Sequence, residues 1–123
     1  MYEVRIAPEK NRMYLTLRGF MMDEELQKAA DTVIAEMKKL KPGFTTINDI
    51  SDFKPATPEG AEHIKRAQKA LSDYGMARVI RVVHEKIMGA MQFNRTSRER
   101  EAAQYLADTA PSVEEAERML DSQ

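Results

Sequence analysis

Asp49, Ser51 and Asp52 lie close together in the stretch TTINDISDFKPATPEGAEHI, residues 45 to 64. Two carboxylates at this spacing could bind a divalent cation or share acid and base roles. They fall where a strand is expected to end, the place at which open α/β sheets put their ligands. The plainer reading is that Asp and Ser side chains satisfy loop amides and set a turn. Thr57 and the amides up to Gly60 follow, at the start of an expected helix. Free amides there attract anions. Pro58 removes one donor and Glu59 adds a negative charge, so Thr57 reads first as a helix cap.

The other reactive side chains form weaker patterns. His84 precedes Glu85, but no Gly-x-Ser-x-Gly elbow accompanies them, so they do not make a triad signature. His63 sits between Glu62 and Lys65 on an expected wet helix face, and the two His lack the spacing of a helical metal motif. There is no Cys, hence no thiolate site and no disulfide framework. No metal and no cofactor are expected. Lys86, Arg95, Arg98 and Arg100 form the densest basic stretch, with Phe93 available for stacking. Glu85, Glu99 and Glu101 neutralise most of it, which favours a solvated charged face. Met21, Met22, Met88, Met91 and Phe93 offer soft apolar surface. Core packing, a homodimer contact, a protein partner and a lipid-like ligand all fit that surface.

Composition narrows the classes. The chain has 123 residues, enough for one domain and one core, so residues 1–123 are expected to form a single unit. With 19 basic and 20 acidic residues the net charge is -1. That balance supplies no positive field for nucleic acid. No apolar run approaches the ~20 residues that span a bilayer. MYEVRIAPEK lacks the apolar core of a signal peptide, so a cytoplasmic location is expected.

These residues must be positioned by elements that the hydrophobic periods outline. Tyr2, Val4 and Ile6, and then Met13, Leu15 and Leu17, alternate with polar residues around the turn Pro8–Asn11. They predict an antiparallel hairpin over residues 2–18, closed by Gly19. Asp23 is the expected N-cap of a helix carrying Leu26, Ala30, Val33, Met37 and Leu40 inward. Lys38, Lys39 and Lys41 favour its C-terminal end, and Pro42-Gly43 stops it. Phe44 to Ser51 reads as a third strand, rich in β-branched residues. Thr57-Pro58 opens a second helix with Ala61, Ile64, Ala67 (or Gln68), Leu71 and Tyr74 inward, ended by Gly75. Met76 to Val83 reads as a fourth strand, with Arg78 and Arg81 on opposite faces. Capping boxes at Thr96–Glu99 and Ser112–Glu115 open two further helices, the last with Val113, Ala116, Met119 and Leu120 inward. Residues 87–93 fit either a lid or a loose helix, and a fifth strand in 104–111 is left open. The order β-β-α-β-α-β-(α)-α predicts an α/β fold, a four- to five-stranded mixed sheet that starts with an antiparallel hairpin and carries helices packed on it.

This order resembles the STAS family of anti-sigma-factor antagonists and SpoIIAA-like proteins. The hairpin leading into an amphipathic helix, the strand end 48-NDIS-51 and the closing helix 112-SVEEAERML-120 carry the likeness over nearly the whole chain. The resemblance implies a SpoIIAA-like fold and a phosphorylatable Ser at the start of the helix after this strand. Here Pro58 stands at that position and has no hydroxyl; Thr57 is the one acceptor nearby. The sequence is also similar to the STAS/Sec14-like branch, which implies a binding groove. The expectation is a non-catalytic cytoplasmic interaction module without the usual phospho-switch. It would engage a protein partner or a second copy through Asp49, Ser51, Asp52, Thr57, Gly60 and the segment with Met88, Met91 and Phe93. The alternative is a carrier of a small apolar ligand or lipid, with its pocket near residues 87–93. An enzyme using Asp49, Asp52 and His84 is a third reading.

Overall fold

A computed structural model describes residues 1–54, 57–83 and 105–122. Its sheet has strand order β1-β2-β3-β4-β5: β1 (Tyr2–Ala7), β2 (Arg12–Phe20), β3 (Thr45–Lys54), β4 (Arg78–Val82) and β5 (Leu106–Ala110). Only β1 and β2 pair antiparallel; β2, β3, β4 and β5 run parallel. The expected hairpin is there, closed by a single 3-10 turn, Pro8–Lys10, with Asn11 in the left-handed region. The open question about residues 104–111 is answered by β5. The capping box at Thr96 and the segment 87–93 lie outside the described residues.

The helices follow the sequence periods, with shifted ends. They are α1 (Asp23–Met37), α2 (Pro58–Tyr74) and α3 (Val113–Asp121). Asp23 is not the cap of α1: Met22 takes that position, and Asp23 is the first helical residue. Lys38, Lys39 and Lys41 lie past the last turn. Ser112 does cap α3, its hydroxyl oxygen accepting from the Glu115 amide at 3.1 Å. No described helix is long and apolar enough to cross a membrane.

Alternation along the strands divides the sheet into two faces. Met13, Leu15, Leu17, Ile50 and Val79 pack under α1 and α2 in one cluster with Leu26, Val33 and Leu71. Ile47, Ile80, Val82 and Ala110 pack under α3 with Ala116 and Leu120. Among the described residues α3 is the helix on that face, over β3, β4 and β5, and polar chains stand at the β1–β2 end. Arg12, nearly buried, pairs with Glu117 and reaches Asp121 at 3.0 Å. The Arg5 guanidinium lies 3.9 Å above the Tyr14 ring.

Gly75 ends α2 with φ +110°, and its amide returns to the last turn. A Cβ there would sit 3.0 Å from Pro42 Cβ and 3.2 Å from Pro42 Cα. Gly75→Ala is expected to lower stability by about 2 kcal/mol. In urea unfolding the midpoint should fall with the slope unchanged.

Candidate functional site

Asp49 is held by local structure. In the β2–β3 register Thr16 lies opposite Asp49 and Arg18 opposite Asp52, so Ile50 and Ser51 together face Leu17. That is a bulge, which leaves one amide of β3 out of step with the ladder. Asp49 Oδ1 accepts from the Ser51 amide at 3.1 Å and from the Ser51 hydroxyl at 2.7 Å. The expected strand end at Ser51 is therefore a bend within β3, which runs on to Lys54. By strand alternation Asp49 is on the side of α3, away from the helix pair. Asp52 is exposed, beyond the bulge. Among the described residues no cluster of His, Asp and Glu could hold a metal ion.

Thr57 and Gly60 form a second local unit. The Thr57 oxygen accepts from the Gly60 amide at 3.1 Å, the expected cap. The Thr57 hydroxyl also donates to Asp23 Oδ1, so the first turns of α1 and α2 are joined by one side chain. Gly60 is buried, and a Cβ there would come within 2.6 Å of Leu26 Cδ1. Its missing side chain is what lets α2 approach α1.

A cavity is present among the described residues; residues 87–93, where a pocket was expected, lie outside them. The cavity lies between α1 and α2 on one side and β2, β3 and β4 on the other, partly open, with a volume of about 50 Å³. One water needs ~10–15 Å³ on this measure, so several water-sized groups fit. Leu26, Val33, Ile64, Leu71 and Val79 supply much of its apolar wall. Thr46, Asn48, His63, Gln68, Arg81 and Tyr105 also line it. Asn48 and Arg81 are register neighbours near the C-terminal end of β4, so the polar groups gather where open α/β sheets bind ligands.

Three polar groups in this wall are well buried. Thr46 donates its hydroxyl to Met76 Sδ at 3.3 Å. Gln68 is 8% exposed, yet its Oε1 makes no hydrogen bond among the described residues, and the same is true of Asn48 Oδ1. Arg81 is 2% exposed. Burial lowers the pKa of its guanidinium, while the charge and hydrogen bonding of Tyr105 oppose that shift. Arg81 stays charged at any physiological pH.

Of the residues singled out in the sequence, Thr57 and Gly60 come together, and Asp49 pairs with Ser51, but the two units are separate. His84, Met88, Met91 and Phe93 lie outside the described residues. Asn48, Gln68 and Arg81 were not singled out as site residues. Their signal is a polar residue at an inward position: Arg81 inside 79-VIRVV-83, Gln68 on the apolar stripe of α2, and Asn48 two after Thr46 on β3. His63, expected on a wet face, lines the cavity.

No family model and no curated protein matches this chain.

Thr57→Ala removes both the cap and the link to Asp23. It is expected to destabilise the chain by about 1–2 kcal/mol in thermal unfolding, and Thr57→Ser by only a few tenths. An equal loss for Ala and Ser would rule out the hydroxyl as the cause.

Proposed function

We propose that this chain is a non-catalytic binding domain of STAS-like type whose ligand site is the cavity beneath α1 and α2. The observation that carries the reading is the pair of amide oxygens, Asn48 Oδ1 and Gln68 Oε1, left without a partner among the described residues in the wall of a largely apolar space. A buried acceptor without a donor costs ~1–3 kcal/mol. A bound molecule that donates to it recovers that energy. The ligand has a small hydrogen-bonding head and an apolar body lying between Leu26, Val33, Ile64 and Leu71. Arg81 makes the cavity unfavourable for a cationic head, and no carboxylate lines it among the described residues.

The positions compared with the family's switch support binding without that switch. Pro58 cannot accept a phosphate, and the Thr57 hydroxyl is already engaged with Asp23 and Gly60. Asp49 is similarly engaged with Ser51, which argues against the acid–base reading.

A protein-partner surface is the second reading, and exposure at one corner favours it. Phe20 and Met22 are 59% and 61% exposed, and they flank the start of α1 beside the Asp23–Thr57 link. A partner captured there should be lost with Met22→Asp, as read by pull-down, with no loss of thermal stability, since Asp is the better N-cap.

For the cavity, native mass spectrometry of freshly purified protein is expected to show a retained small molecule that denaturing spray releases. Gln68→Leu should weaken its retention roughly tenfold, the equivalent of one buried hydrogen bond. Protein that carries no adduct, and a Gln68→Leu variant that is simply more stable, would mean that the amides hold water alone.

A further inference from the structure

We propose that the outer edge of β1 pairs with β1 of a second copy, antiparallel and centred on Val4, so that two sheets become one. β1 ends the sheet, and among the described residues no strand lies on its outer side. The Arg18 amide donates to the Met1 carbonyl at 2.8 Å, which fixes the phase of the β1–β2 ladder. In an antiparallel pair, alternate residues spend both backbone groups on the same partner. Met1, Glu3, Arg5 and Ala7 therefore point their backbone groups at β2. Tyr2, Val4 and Ile6 point theirs outward.

An outward set of alternate residues can form a second ladder. With Val4 opposite Val4 of the second copy, Tyr2 falls opposite Ile6 and Ile6 opposite Tyr2. These are the residues whose amides and carbonyls face out, so every one of them finds a partner. Glu3 then falls opposite Arg5 of the second copy, and Arg5 opposite its Glu3. These are the non-hydrogen-bonded positions, where facing side chains come closest, ~4.5 Å between Cα atoms.

Charge makes this register self-complementary. Edge strands are usually protected by like charges, which repel a second copy. Here opposite charges stand symmetrically about Val4, and a two-fold axis turns each onto its opposite. Glu3 and Arg5 are both exposed, at the β1–β2 end of the α3 face. Arg5 keeps its place over Tyr14 in the pair. On the other face, Tyr2, Val4 and Ile6 are only partly buried against the core, and pairing covers them further. The proposal is independent of whether the cavity holds a ligand.

Sedimentation velocity of the full chain across about a hundredfold range of concentration should show a monomer–dimer equilibrium. Val4→Pro should abolish the dimer and leave circular dichroism nearly unchanged with only a modest fall in thermal stability, because an edge strand tolerates proline where the amide faces out and Val4 is only partly buried. Glu3→Arg and Arg5→Glu should each weaken dimerisation roughly tenfold or more. Mixing those two variants should restore it as a heterodimer, since each copy then presents the other's opposite charges. A chain that stays monomeric throughout overturns the proposal. So does a dimer that survives Val4→Pro, or a mixture of the two charge variants no stronger than either alone.

Discussion

A parallel sheet must be covered on both faces, and the described elements of this chain do so with unequal means. α1 and α2, of 15 and 17 residues, lie on one side, while the 9 residues of α3 lie on the other. Parallel strands with an uncovered face would expose Ile47, Ile80 and Val82 to water. α3 answers for those residues, and Arg12 extends its reach by holding Glu117 and Asp121 from β2. Arg12 is a buried cation with two carboxylates, and losing α3 would leave it charged and alone. The thin side of the fold is thus anchored by an ion-pair network as well as by burial.

On the other face two helices pack on the sheet and on each other. α1 lies over β1, and α2 packs on α1 where Gly60 permits close approach. The Thr57–Asp23 link holds the first turns of both helices at one separation. Over β3 and β4 the helices do not fill the space, and the cavity results. The position that resembles a phosphorylation site is therefore a structural joint. Its hydroxyl is spent on fixing the helix pair that roofs the cavity, so the geometry of the joint bears directly on the shape of the site.

The order of the elements was legible in the sequence because each announces itself locally: alternation in β1 and β2, the apolar stripe in α1 and α2, the Thr57 and Ser112 caps. What was not legible depends on partners distant in the chain. The strand end at Ser51 is a bulge, and a bulge exists only relative to β2. Asp23 reads as a cap by type, but the hydroxyl it needs to accept from is Thr57, 34 residues away. β5, LADTA, is too short and too mixed to alternate clearly, and it is fixed by pairing with β4. The cavity was hidden most completely. Its polar wall comes from β3, α2 and β4 together, and no window of sequence contains all three.

Arg81 shows why those polar residues are more than irregularities in a core. An apolar side chain in its place would suit the run 79-VIRVV-83 and avoid the cost of desolvating a guanidinium. Burial presses its pKa down, yet an arginine guanidinium remains a cation at physiological pH. A permanent charge near the C-terminal end of β4 sets the potential of the space it borders. Dispersion and apolar contact, supplied by Leu26, Val33, Ile64 and Leu71, discriminate poorly among molecules of similar shape. In the proposed site, hydrogen bonds to Asn48 and Gln68 and the field of Arg81 would discriminate by chemistry. Under the proposed reading the cavity divides its labour, apolar walls for affinity and a charged, hydrogen-bonding end for choice, as small-molecule sites do.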